Sequence, residues 1–304
     1  MPKTCSKCKK PAVTFIRYNG THLCKDHFIK YFEKRVKKEV KKQGKTKGKS
    51  KKAIALSGGK DSSISLYISY DLYKNRKNIE LFAITVDEGI KNYREKSIEI
   101  AKQNCKKLGI KQYIVSFKDV FGITMDEIHI LKEELGDCAY CGVFRRVCLN
   151  KKAKELGAQS LITGHNLDDM AQSILMNFVN GDVQKLARLG PHKKVQPGFV
   201  PRLSPLRVIP EKEVALYAIL KKIDFHEGKC PYSTDALRGN FRDIIDSLEY
   251  NSPGTRHSIL KSYDAIKDIL LEKFPPIELK NCIICGEPTS QIKCKSCVLK
   301  EKLN

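Results

Sequence analysis

No apolar run in the sequence approaches the length of a membrane span. The longest, Val214-Ala-Leu-Tyr-Ala-Ile-Leu220, is far short of the roughly 20 residues such a helix needs. No apolar segment follows the basic residue of Met1-Pro-Lys-Thr-Cys5, so no secretory signal is readable and a soluble cytoplasmic chain, away from membranes, is expected. Acidic residues are scarce: 34 Asp and Glu face 57 Lys and Arg, a formal net charge of +23. That surplus is the electrostatic footprint of a polyanion binder, although a lysine-rich surface serving solubility alone carries the same charge. Wholesale disorder is excluded, because 41% of residues are hydrophobic, enough for a buried core. A length of 304 residues suits two structured units, or one large domain with small appendages.

Cysteine, by contrast, is abundant. Twelve in a chain without an export signal point to metal binding or catalysis rather than disulfides. Residues 1–28 hold Cys5-x2-Cys8 and Cys24-x2-His27; residues 281–304 hold Cys282-x2-Cys285 and Cys294-x2-Cys297. Each x2 spacing lets two side chains of one tight knuckle face the same ion, and two knuckles close a tetrahedron. Thiolate and imidazole suit zinc, and four protein ligands leave no coordination position for chemistry. Two structural Zn2+ sites are expected, one in an N-terminal finger and one in a C-terminal ribbon.

Between these modules the pattern changes three times. Residues 29–52 read as a basic helix running into a linker, and nine of the residues 37–52 are Lys. Residues 53–180 alternate strand and helix: strands at 53–56, 79–86, 112–117 and 159–163, helices at 62–75, 93–108 and 143–156. This predicts an α/β fold with a doubly wound parallel sheet, whose ligands bind beyond the carboxyl ends of the strands. Residues 181–280 read as mostly helical, with a Pro/Gly-rich loop at 190–205.

The first strand runs into Ser57-Gly-Gly-Lys-Asp-Ser62. Gly58 and Gly59 let the backbone approach an anion, and the helix that follows points free N–H groups at it. Lys60 adds charge, and Ser57 and Ser62 add hydroxyls. The loop is a phosphate cradle but not a Walker A motif. Gly44-Lys-Thr46 and Gly48-Lys-Ser50 fail that motif too, because Glu39 and Gln43 stand where its first glycine belongs.

In its context after a first strand, this loop resembles the PP-loop of the ATP pyrophosphatases with the adenine-nucleotide alpha-hydrolase-like (HUP-like) fold. Val86-Asp-Glu-Gly89, Cys138-Ala-Tyr-Cys-Gly-Val-Phe-Arg-Arg146 and Thr163-Gly-His-Asn-Leu-Asp-Asp-Met-Ala171 resemble motifs of the tRNA 2-thiouridine synthetases. So do Ile174–Phe178, Gly181–Arg188 and Arg238–Asp243, and with both zinc quartets the resemblance spans essentially the whole chain. Within that family, the segment around Arg145 is closer to the archaeal and eukaryotic enzymes that act on the wobble uridine, position 34. Relatives acting on position 54 often carry Lys there.

The resemblance implies ATP with Mg2+, adenylation of the uridine C2 oxygen, and displacement of AMP by sulfur to give 2-thiouridine. It implies a nucleotide site at Ser57–Ser62, Gly164 and Asp169, with Asp61 or Asp169, and Asp168 as a second candidate, positioning metal or substrate. Arg145 is implied as a stabiliser of leaving-group charge; it cannot act as a base at neutral pH. His165 is read as a turn residue or an adenine contact. The implied partners are tRNA, sulfide or a ubiquitin-like sulfur carrier, and a second copy of the chain.

For sulfur, the candidates are Cys138, Cys141 and Cys230. Cys138-x2-Cys141 reads as lying just before a helix, with Arg145 and Arg146 after it, a setting that lowers thiol pKa. Cys230, in Glu227-Gly-Lys-Cys-Pro231, matches the third functional cysteine of the family. Three thiolates could hold a [4Fe-4S] cluster with one open iron. They could instead pass a persulfide by thiol exchange, or form a third zinc site completed by His226 or water. The cluster is favoured because the family includes cluster-dependent members. Cys105 and Cys148 read as buried thiols. For RNA phosphates the candidates are Lys37–Lys52, Arg188–Lys194, the zinc modules, and Arg238, Arg242 and Arg256.

Overall fold

The computed structural model describes residues 3–44, 48–131, 135–191, 195–233 and 236–303. Two short antiparallel strands, β1 (Thr14–Ile16) and β2 (Thr21–Leu23), lead into α1 (Lys25–Gln43). Phe28, Phe32, Val36 and Val40 recur every fourth residue of α1 and are buried, while Lys37, Lys38 and Lys41 on its other face are exposed. The buried stripe joins the main core, where Phe32 stacks on Tyr217 with ring centroids 4.1 Å apart. Cys5, Ile16, Leu23 and Cys24 belong to the same cluster. The N-terminal module therefore packs on the α/β body rather than hanging from it.

The body follows as β3 (Ser50–Ala55), α2 (Lys60–Tyr73), β4 (Ile79–Asp87), α3 (Arg94–Leu108), β5 (Lys111–Ser116), α4 (Phe117–Phe121) and α5 (Met125–Ile130). It continues with α6 (Asp137–Glu155), β6 (Ser160–Ile162), α7 (Leu167–Val179), α8 (Val183–Ala187), β7 (Arg202–Leu203), α9 (Glu211–Lys221), α10 (Ala236–Asn251) and α11 (Thr255–Lys273). The chain ends in β8 (Lys280–Asn281), β9 (Pro288–Thr289) and α12 (Lys295–Glu301). Five strands form one parallel sheet in the order β5-β4-β3-β6-β7. Its central residues are apolar without alternation, Ala53-Ile54 on β3 and Phe82-Ala83-Ile84 on β4, because helices cover both faces. From β3 the chain winds outward through β4 to β5 and then crosses to β6 on the other side. That reversal opens a crevice at the carboxyl ends of β3 and β6.

The expected α/β fold with a parallel sheet is borne out. One boundary is corrected: α6 begins at Asp137, so Cys138 and Cys141 lie inside its first turns, not before it. Tyr140, Phe144 and Cys148, one turn apart, are buried in one cluster and carry the helix back to Gly136, whose φ of +71° ends the preceding segment. The loop at 190–205 is also more than a connection, since it supplies β7, with Leu203 opposite Ile162.

A buried polar knot ties the N-terminal module to α9 and α11. Glu213 accepts from Tyr18 Oη at 2.5 Å and pairs with Arg35 at 2.7 Å. Arg35 also donates to His257 Nε2 at 2.9 Å, which requires that nitrogen to be unprotonated. Burial, reinforced by Arg35, pushes His257 down to about 4. Between pH 6.5 and 4 the unfolded chain takes up a proton that the folded one refuses, so this stability is present above 6.5 and lost on acidification. His257→Gln, which keeps an acceptor without the titration, is expected to lose less melting temperature between pH 7 and pH 5 than the parent.

Candidate active site

The loop after β3 is closed by its own serines. Ser57 N donates to Ser62 Oγ at 3.1 Å, the two hydroxyls lie 3.0 Å apart, and Ser62 Oγ donates to Gly59 O at 2.9 Å. Gly58 has φ +85°, and a Cβ there would stand 1.9 Å from the Ser97 carbonyl oxygen. A Cβ on Gly164, after β6, would meet the backbone of Asp61 and Ser62 at 2.9 Å. Both glycines are therefore required by close backbone approach. The cavity between them, about 250 Å3, is lined by Ser57, Asp61, Ser62, Glu88, Arg94, Arg145, Gly164, His165 and Asp169, among others. Lys60 opens α2 and pairs with Glu211 at 2.7 Å.

The two acids of the Asp-Asp pair have separate surroundings. Asp169 closes a capping box with Asn166 at the start of α7, pairs with Arg238 at 2.8 Å, and faces the cavity. Asp168 turns away: it accepts from Glu211 N at 2.7 Å and pairs with Arg256 at 2.7 Å. Asp168 is therefore a fold contact, correcting its place as a second metal candidate. Asp61 accepts from Asn166 Nδ2 at 3.2 Å, and burial, with Asp169 adding to it, pushes its carboxyl up to about 6. Two acids facing one cavity, one of them with its charge poorly compensated, fit a divalent cation.

Beside this cavity lies a second, of about 430 Å3, lined by Cys138, Cys141, Arg145, Cys230, Tyr232 and Arg238, among others. Tyr232 pins the Cys230 loop onto α5, stacking on His129 with centroids 4.1 Å apart and donating to Asp126 at 2.7 Å. Sequence reasoning brought these three thiols together, and so does the fold. The expected lowering is not found at Cys141, which burial pushes up to about 11 with the Arg145 guanidinium opposing. Cys105 and Cys148 are buried, as expected, and burial pushes both up to about 12.

Among the described residues, the groups whose ligand atoms lie within 4.8 Å of one another are the two terminal quartets. Sulfur–sulfur gaps of 3.8 Å (Cys8–Cys24), 3.7 Å (Cys282–Cys297) and 3.4 Å (Cys285–Cys294) are close to the ~3.8 Å edge of a tetrahedral zinc site with 2.3 Å bonds. His27 Nδ1 lies 3.5 Å from Cys5 and 3.3 Å from Cys24. Cys24 and Cys294 each occupy the N-cap of a helix. Both quartets fit zinc. Cys138, Cys141 and Cys230 are spread too widely for one ion, and so suit a larger group.

Comparison with known proteins places this geometry. A family profile for the PP-loop domain matches residues 30–248, and one for the N-terminal LIM domain of 2-thiouridine synthetase TtuA matches residues 4–29. The tRNA 2-thiolation protein NcsA of Haloferax volcanii is 40% identical over 98% of this chain and 98% of its own. The chain belongs to the PP-loop tRNA 2-thiolation proteins. Cytoplasmic tRNA 2-thiolation protein 1 of Arabidopsis thaliana is 37% identical over 93% of this chain and 79% of its own. The solved U34-tRNA thiolase NcsA from Methanococcus maripaludis, with its [4Fe-4S] cluster, aligns with a TM-score of 0.86 at 39% identity, over 99% of this chain and 96% of that one.

Within this family member the basic candidates divide. Arg188 and Arg242 are exposed, whereas Arg256 is buried and paired with Asp168, Asp246 and Glu249. Lys52 is buried in β3 with its ammonium over the Tyr73 ring. Arg256 and Lys52 are therefore withdrawn from the RNA surface. Lys45–Lys47 and His192–Lys194 lie outside the described residues. Sequence reasoning assigned no role to Glu88 or Arg94; the one signal was an acid inside the Val86–Gly89 motif. No described helix is long and apolar enough to cross a membrane. Gly58→Ala is expected to abolish ATP binding at millimolar nucleotide by equilibrium dialysis while the metal content of the terminal quartets, measured by mass spectrometry, stays that of the parent.

Proposed function

We propose that the protein is an ATP-dependent tRNA sulfurtransferase that converts the wobble uridine, position 34, to 2-thiouridine. One observation carries this reading: Arg145 lines both the nucleotide cavity and the three-cysteine cavity, so activation and sulfur delivery can act on one base. The choice of position 34 is supported by the 39%-identical neighbour, named a U34-tRNA thiolase, and by Arg at position 145.

In the first step the uridine O2 attacks the α-phosphate of ATP and pyrophosphate leaves. The Ser57–Ser62 loop holds the phosphates with backbone N–H groups and hydroxyls. Asp61 and Asp169 would hold Mg2+, which offsets the charge of the triphosphate. In the second step sulfur attacks C2, and AMP departs with the former carbonyl oxygen. Arg145, always charged, stabilises that leaving phosphate. When bound to Cys138, Cys141 and Cys230, a [4Fe-4S] cluster would offer the sulfur from its open iron. The two quartets hold structural zinc. Sulfide or a ubiquitin-like carrier supplies sulfur, the protein acts as a homodimer in the cytoplasm, and exposed Lys and Arg engage the tRNA.

The test is thiolation by anaerobically reconstituted protein given unmodified tRNA, ATP, Mg2+ and sulfide. 2-Thiouridine confined to the fragment containing position 34, and absent without ATP, is expected; thiolation at position 54 or on cytidine would refute the assignment. Asp61→Asn should lower both thiolation and AMP formation ~100-fold or more, consistent with loss of metal-assisted charge stabilisation. Joint replacement of Cys138, Cys141 and Cys230 by Ser should remove iron and visible absorbance yet keep two zinc ions per chain. Undiminished thiolation by protein lacking iron would replace the cluster with persulfide chemistry.

A further inference from the structure

Glu88 follows β4, and its side chain is 4% exposed. Its carboxylate is divided between two arginines. One oxygen pairs with Arg94 Nε at 2.5 Å and the other with Arg145 Nε at 2.8 Å. Arg94 carries the connection to the nucleotide loop, donating to the Ser57 carbonyl at 2.7 Å and also to the Val86 carbonyl. Arg145 carries it to the other cavity, reaching Cys141 Sγ at 2.9 Å. The side chain of Arg145 is 49% exposed, and a long guanidinium side chain in that situation moves toward water unless a buried partner holds it. Two guanidiniums on one buried carboxylate also leave one positive charge unmatched, at a wall that both cavities share.

We propose that Glu88 is a positioning residue that holds Arg145 in the partition between the nucleotide and cysteine cavities. There one guanidinium serves the sulfur side and the phosphate side together. Glu88 lines the nucleotide cavity, but both its carboxylate oxygens are taken by Arg94 and Arg145, so it acts through Arg145; Arg94 is held by the Ser57 and Val86 carbonyls as well. This rests on the reading of the two cavities as one thiolation site.

The test is a double-mutant cycle with Glu88→Gln and Arg145→Met, read as kcat and KM for ATP in tRNA thiolation and as crystal structures of the variants. Glu88→Gln should lower kcat about 10- to 100-fold, as expected for a misplaced catalytic group, while KM for ATP moves less than about threefold. The double variant should be no slower than Arg145→Met, because Glu88 has nothing left to position. Multiplying losses, or a loss confined to KM, would overturn the proposal and leave Glu88 as a fold contact through Arg94. If Glu88→Gln does not fold, Glu88→Asp, too short to reach both arginines, is read in the same way. The crystallographic arm stands apart from the catalytic reading. Arg145 still against Cys141 in the Gln variant would overturn the positioning role whatever the protein thiolates. Arg145 displaced, in a protein whose parent thiolates no tRNA, would keep the positioning role and overturn the thiolase reading instead.

Discussion

The catalytic end of the sheet depends on two places where backbones meet without a side chain between them. Gly58 lies against the Ser97 carbonyl and Gly164 against the first residues of α2, both closer than any Cβ would allow. The Gly164 contact draws the loops after β3 and β6 together across the point where strand order reverses, the Gly58 contact seats the first loop on α3, and the nucleotide cavity is what remains between the two loops. The Ser57 and Ser62 hydroxyls then close the first loop on itself, and the start of α2 faces the space it leaves. Even the Cys230 segment is registered on this point, because His226 N donates to the Gly58 carbonyl at 2.9 Å just before the chain turns toward the thiols. Nucleotide loop and third cysteine are thus placed by one backbone.

Charge is buried here in a way that separates arginine from lysine. Arg94 and Arg207 are almost fully enclosed and Arg35 largely so, and each is matched by a carboxylate: Glu88, Glu39 with Asp264, and Glu213. Buried pairs of this kind contribute little net stability but become costly when one partner is removed. Their value is geometric. The Arg35–Glu213 pair fixes α1 to α9, and Arg207 links α1 to α11 through Glu39 and Asp264, so the N-terminal module and the helical extension are held in one orientation. A planar guanidinium with five donors can make such three-way junctions; an ammonium cannot.

Much of this was legible in the sequence, and the limits follow from what local patterns encode. The parallel sheet, both quartets and the loop at Ser57–Ser62 depend on short-range spacing, and the structure places them as the spacing predicted. The start of α6 was misread because Cys-x2-Cys resembles a metal knuckle, whereas the buried series Tyr140, Phe144, Cys148 makes it helix. Arg256, Asp168 and Lys52 were misassigned for another reason: whether a charge faces solvent, phosphate or a buried partner is decided by elements distant in sequence. Glu88 was missed on the same ground. Its partners lie six and fifty-seven residues away, and no local pattern announces a carboxylate shared between two arginines.

That sorting also bears on how a chain of charge +23 meets RNA. The sequence carries 45 Lys against 12 Arg, and buried carboxylates take up Arg35, Arg94, Arg207 and Arg256, so the positive charge left on the surface is carried largely by lysine. Along α1, Lys37, Lys38 and Lys41 stand on the face opposite the buried Phe28–Val40 stripe, so core packing itself presents them to solvent. Lysine meets a phosphate as a point charge without the bidentate geometry that would fix register. Such a surface attracts tRNA without reading its sequence, and its affinity falls steeply with salt. On the proposed reading, discrimination of one base arises where that surface ends, at the Arg145 side chain that lines both cavities, where a base would have to leave its stack to reach them.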